Sequence, residues 1–203
     1  MAKKISQLTA ATTMQNGDLL EVSRDNGTGG FDSRKITFAN FKAAVPSNPR
    51  TIDVVTGTNI TGTLTNSKSA SILIPANTIT GNSVIEIMSR AIRVSGTAAT
   101  IYHQMYINTT DSLSGATLLG IFTTVTVSNY WGQGTREALI LPGSNQMKIF
   151  NTGATIAQDY LSGVVGSTVT FNETVDNYII FAVQLFNVGD TAAIEVAKVV
   201  LYE

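Results

Sequence analysis

The chain has 203 residues, enough for one sizeable domain and a small appendix, and only 13% of them are charged, against roughly 25% in ordinary soluble proteins. With 13 Lys and Arg against 14 Asp and Glu the formal charge is −1, which excludes a basic footprint for nucleic acid or an anionic membrane. The absence of cysteine excludes a disulfide framework and a thiolate metal site. Ser, Thr, Asn and Gly replace the missing charges, a composition that suits a chain whose surface is largely buried between subunits. Met1-Ala2-Lys3-Lys4 leads straight into polar sequence, and no apolar run approaches the ~20 residues that span a bilayer. The expectation is synthesis in a cytoplasm without membrane insertion.

Residues 1–45 read as a small module. Leu19, Leu20 and Val22 predict a short strand, Asp25-Asn26-Gly27 opens a Gly-rich tip running to Gly30, and Arg34-Lys35-Ile36 predicts the returning strand. Thr37 can cap a helix over Phe38–Val45 that places Phe38, Phe41 and Val45 on one face, and Pro46 ends it. A hairpin and a short helix bury too little apolar surface to offset the entropy of ordering the chain. The module therefore needs a host or further copies of itself, which points to an assembly protein.

The same residues carry a resemblance. Ile5-Ser6, Leu8 and Ala11-Thr12, then Gly17-Asp18-Leu19-Leu20 with Val22, then Lys35-Ile36-Thr37 with Phe41, form a spaced pattern. It resembles the N-terminal module of virion fibre proteins of tailed bacteriophages, such as head fibres and short tail fibres. The resemblance implies a homotrimeric structural protein of the virion, anchored through its N-terminus to capsid, collar or tail proteins. Leu19, Leu20, Ile36, Phe38 and Phe41 are then the expected anchoring and trimer-core residues. Residues 51–203 show no such resemblance.

Pro46-Ser47-Asn48-Pro49-Arg50 reads as a stiff extended connector, residues 46–50. Beyond it, residues 51–203 are almost purely β in pattern. Strands are predicted at Thr51–Thr56, Ser69–Ile74, Ser83–Ile87, Ala91–Val94, Ala99–Ile107 and Thr117–Ser128, then at Glu137–Leu141, Gln146–Phe150, Thr168–Asn172, Tyr178–Asn187 and Ala192–Tyr202. Turn residues such as Asn82, Gly96, Pro142-Gly143 and Gly189-Asp190 separate them. Short strands so punctuated indicate an antiparallel β-sandwich, jelly-roll-like for preference. Ile194, Val196 and, after a phase change, Val199 and Leu201 are expected to face inward, and Ile179–Leu185 to form a central strand covered on both sides.

Residues that could carry chemistry are few. Tyr130-Trp131-Gly132-Gln133-Gly134-Thr135 resembles the joining segment of an antibody variable domain, but the paired cysteines of that family are missing. Ser128–Arg136 is instead read as a Gly-bracketed loop presenting Tyr130 and Trp131 as candidate receptor contacts. The one histidine, His103, cannot build a zinc site without further ligands and is expected as a hydrogen-bonded strand residue at a sheet or subunit surface. Scattered carboxylates show neither a calcium loop nor a glycosidase pairing, so no catalytic residue, metal or cofactor is assigned and no enzyme is expected.

Two readings follow. The first is a trimeric virion fibre or spike whose sandwich projects outward toward the host. The second is a carbohydrate-binding module reading cell-surface glycans, with Tyr102, Tyr106, Tyr130 and Trp131 as residues able to stack on sugar rings. The expected partners are other copies of the chain, virion proteins and a host surface glycan.

Overall fold

The computed structural model describes residues 19–25, 31–37, 49–96, 101–123, 131–150 and 166–203. The chain divides into two compact units between Ser47 and Asn48. In the first, β1 (Leu19–Asp25) and β2 (Phe31–Thr37) pair antiparallel, with Leu20 opposite Ile36 and Leu19 opposite Thr37. Phe38, Phe41 and the helix predicted over Phe38–Val45 lie outside the described residues.

The second unit is an antiparallel β-sandwich. Its strands are β3 (Arg50–Val55), β4 (Ile60–Thr61), β5 (Ser67–Ile74), β6 (Ser83–Ser95), β7 (Tyr102–Asn108), β8 (Thr117–Thr123), β9 (Trp131–Leu141), β10 (Gln146–Phe150), β11 (Gly166–Thr170), β12 (Asn177–Gln184) and β13 (Thr191–Tyr202). The larger sheet runs β11-β10-β9-β6-β13-β3, with β4 also pairing β13; the smaller runs β5-β12-β7-β8. Alternate residues of both sheets meet in one core. Ile72, Met105, Phe181 and Val183 come from the smaller sheet, and Ile85, Ile87, Ile194 and Leu201 from the larger. Each such burial is worth roughly 1.5–3 kcal/mol, and a slip of one residue would turn every one of them outward, so the core fixes the register.

Several expectations are corrected here. Ser83–Ile87 and Ala91–Val94 are one strand, β6, because the inward positions Ser89 and Arg93 interrupt the apolar signal without breaking the alternation. In β13 a bulge between Ile194 and Val196 shifts the phase earlier than predicted, so Ala197 enters the core and Val196 is only half-buried. Asp190, from the turn Gly189-Asp190, is buried and lies 3.4 Å from the equally buried Arg93 guanidinium. At the same bulge the freed Ile194 amide donates to Ser69 Oγ (3.0 Å), whose hydroxyl donates to Thr58 O (2.7 Å), tying β13 to β5 across the interior.

The Gly-bracketed loop is also corrected. Residues 131–136 belong to β9, where Gly132 lies opposite Ala91 and Gly134 opposite Ser89. Glycine is there for close approach rather than for a turn: a Cβ on Gly134 would come within 2.4 Å of the Phe122 ring from the facing sheet.

The register also sorts the sandwich into two ends. Arg50, where the connector arrives, lies opposite Leu201 in β13 and donates to Thr78 O at 3.2 Å. Tyr202, Val84 and Ile74 mark this same end. At the opposite, distal end stand Thr191 beside Ser95, Gln184 beside Tyr102, and Trp131 beside Ile92. Strands β3, β6, β8 and β12 therefore all run toward the distal end.

Candidate functional site

The outer face of the smaller sheet carries an ordered polar cluster next to the distal end. Tyr102, Gln104 and Tyr106 occupy alternate, outward positions of β7, since Met105 and Ile107 between and beyond them point into the core. Asn66, just ahead of β5, crosses the intervening β12 to reach them. Its Nδ2 donates to Gln104 Oε1 (3.0 Å) and to the Tyr106 hydroxyl (2.5 Å). The crossing is possible because β12 presents only Ala182 opposite Gln104. Tyr106 in turn donates to Gln104 Oε1, and Gln104 Nε2 donates to Gln184 Oε1 at 3.4 Å. Asn66 Oδ1 is left enclosed with no hydrogen-bond partner. Partial burial pushes the Tyr106 phenol above its ordinary range.

Aromatic surface borders the cluster. Phe186, in the connection after β12, is 47% exposed and meets the Tyr102 ring edge-on, with centroids 5.1 Å apart at 84°. On the other side the 109–116 connection folds back toward β5, where Lys68 Nζ contacts Asp111 Oδ2 at 2.7 Å and Asp111 O at 3.1 Å. The Lys68 ammonium, bonded to the Asp111 carboxyl, holds it below its ordinary range. Ile180, opposite Ser71 and Tyr106, is fully buried although it lies on the outer face, so β12 is covered on both sides as expected for a central strand.

The inner side of β7 has a different character. His103 is fully buried rather than at a surface, and neither ring nitrogen has a hydrogen-bond partner. The imidazole stacks on Phe122 at 4.7 Å, and the Arg136 guanidinium lies 4.4 Å from the same ring. Burial, and then the Arg136 charge, push the His103 pKa down from 6.5 to about 3. The unfolded chain therefore takes up a proton below pH 6.5 that the folded chain refuses until about pH 3, so stability falls as pH drops through that window. His103→Phe keeps the stacked ring and removes the titration. Melting temperatures of the parent should drop between about pH 7 and pH 4, and the drop should shrink in the variant.

The remaining sequence candidates separate. Leu19, Leu20 and Ile36 sit in the β1–β2 ribbon; Phe38, Phe41 and Tyr130 lie outside the described residues. Trp131 opens β9 at the distal end, opposite Ile92. Tyr102 and Tyr106 join the outer-face cluster, and Asn66, Gln184 and Phe186 complete it although nothing in the sequence singled them out. A cleft of about 160 Å³ at the connector end is lined by Asn108, Thr109, Thr117, Thr170, Asn172 and Asn177. Its amides hold loops: Asn108 Nδ2 donates to Ser112 O and Ser114 O, and Asn177 Nδ2 to Asn172 O and Val175 O. Among the described residues no group of three His, Asp or Glu side chains converges to hold a metal ion.

No protein-family model matches the chain, and no curated protein matches it. Among solved structures it is distantly similar to the CBM2 module of Lactobacillus casei BL23 phage J-1 evolved Dit, at 11% identity over 64% of this chain and 67% of that one, with a TM-score of 0.30. It is also similar to fructofuranosidase from Schwanniomyces occidentalis complexed with fructose, at 8% identity over 92% of this chain and a TM-score of 0.28. The chain spans 40% of the length of that enzyme. Neither likeness is strong enough to bear on function.

Proposed function

We propose that this chain is a bacteriophage virion appendage, a homotrimeric fibre or spike held by residues 1–45 and projecting a jelly-roll sandwich whose distal end meets the host. One observation supports the reading above the others: the connector reaches the sandwich at one end, and the ordered tyrosine–amide cluster lies toward the opposite end. The winding supports it too. Leaving aside β4 and the added strands β10 and β11, the sheet orders β3-β13-β6-β9 and β5-β12-β7-β8 follow a jelly roll, an architecture of viral and lectin domains. The N-terminal motif supplies the attachment.

The test is incorporation. Deleting residues 1–45 should leave the sandwich folded, by circular dichroism, but absent from purified particles. Phe41→Ala should abolish incorporation, because burying a Phe is worth roughly 1.5–3 kcal/mol and three-fold symmetry repeats the loss. Lys42→Ala should change little. Sedimentation of the full chain should give three times its 21.5 kDa mass. A monomer at micromolar concentration, or normal incorporation of the deletion, overturns the proposal and favours the second reading, a free-standing carbohydrate-binding module. That alternative draws its own support from Tyr102, Tyr106 and the amides bonded around them.

A further inference from the structure

We infer that the outer face of the β5-β12-β7-β8 sheet, beside the distal end, is a binding site for a neutral saccharide, with Phe186 and Tyr102 as its apolar wall, Gln184, Tyr106 and Asn66 as its polar floor, and the buried Gln104 holding that floor through hydrogen bonds to all three. The inference rests on the host-contact part of the function proposed above and names the ligand class for it.

Its first support is preorganisation. Polar side chains on the outer face of a sheet ordinarily point into water, each free to change rotamer. Here Asn66, Gln104, Tyr106 and Gln184, drawn from β7, β12 and the residue ahead of β5, are hydrogen-bonded into one array. Side chains already ordered lose little further freedom when a ligand arrives. The functional groups also match the ligand. Amides and phenols both donate and accept, as sugar hydroxyls do. Gln184 spends its Oε1 on Gln104, which turns its Nε2 away from that bond. Gln184 itself is only half-buried.

The second support is the flat apolar surface. Phe186 is 47% exposed on a loop, yet Tyr102 braces it edge-on at 5.1 Å. A pyranose has a polar rim and apolar C–H faces, so it asks for a ring beside an amide array, which is the arrangement here. The third is charge. Among the described residues, the ion pair beside the cluster is Lys68 and Asp111, which neutralise each other at 2.7 Å. An acidic sugar would need an uncompensated cation, so the face suits a neutral hexose or N-acetylhexosamine.

The experiment uses the full-length chain on an array of neutral hexose and N-acetylhexosamine oligosaccharides printed beside sialylated and uronic-acid ones. Binding is expected on neutral spots. Phe186→Ala and Gln184→Ala should each weaken it at least tenfold, with melting temperature and sedimentation unchanged. Binding confined to acidic spots, no binding at all, or binding indifferent to both substitutions overturns the inference. So does a change in sedimentation in either variant, which would make this face a contact between copies of the chain. Because the array needs no particle, a negative result leaves attachment through residues 1–45 standing. Failure of the incorporation test, conversely, leaves the array result intact.

Discussion

Asp190→Ala is expected to cost about 3–5 kcal/mol, the usual penalty for stripping the partner from a buried charge. That is a large share of the roughly 5–15 kcal/mol that holds a domain folded. Arg93 occupies an inward position of β6 and is wholly enclosed. Asp190 meets it from the connection before β13, itself 1% exposed. Gly96 completes the fit: it adopts φ +114, and a Cβ there would fall 1.9 Å from Asp190 Oδ1. Truncating Asp190 takes that carboxylate away from the buried guanidinium. Urea unfolding measures the loss, and Arg90→Ala is the control, since the Arg90–Glu195 pair at 2.7 Å is about a third exposed on each side. Its removal should cost less than about 1 kcal/mol. Replacing Arg93 and Asp190 together by Met and Leu should recover most of the stability. A single Asp190→Ala variant as stable as the parent would contradict the account.

Gly134→Ala is the second large effect, and it acts by overpacking. The added methyl would lie 2.4 Å from Phe122, whose ring is already held by His103 on one side and approached by Arg136. The ring has nowhere to swing. Arg136 cannot retreat either, because Gly120 leaves it so little room that a Cβ there would fall 2.7 Å from its Nε, which also donates to Leu119 O at 3.3 Å. Overpacking of this kind costs typically 1–3 kcal/mol. Phe122→Ala alone should cost about 3–5 kcal/mol through the cavity it opens. In the double variant the new methyl enters that cavity, so the two losses should sum to more than the double variant shows, by at least about 0.5 kcal/mol. Strict additivity in urea titrations would show that Gly134 and Phe122 do not share a space.

These two sites also show where the sequence was legible and where it was not. β5, β12 and β13 were legible as strands: Ile179–Leu185 is an almost unbroken apolar run, and in Ala192–Tyr202 the inward Ile194, Val199 and Leu201 were read correctly although Val196 was not. The antiparallel sandwich followed from such strands. Gly134 misled, because glycine signals a turn far more often than a ring pressed against a strand. His103 misled for the opposite reason: a polar side chain reads as surface, and only the tertiary fold supplies the stacked ring beside which it is buried, as it supplies Asp190 to the buried Arg93. The outer-face cluster was half visible. Tyr102, Gln104 and Tyr106 alternate within seven residues of β7. Asn66 and Gln184 join them only because β12 lies between β5 and β7, and sheet order is not written in any local pattern.

The strand that receives the connector has a mechanical consequence. β3 runs from Arg50 toward the distal end, hydrogen-bonded to β13 from Leu201 back to Ala197. A tether pulling on Arg50 while the distal end is gripped draws β3 along its own axis. Every rung of the ladder is then loaded together in shear, and none can be peeled open ahead of the others. A sandwich suspended the other way round, by the distal end of the same strand, would unzip bond by bond. The path of the chain into the domain thus favours resistance to tension along the line joining connector and tip.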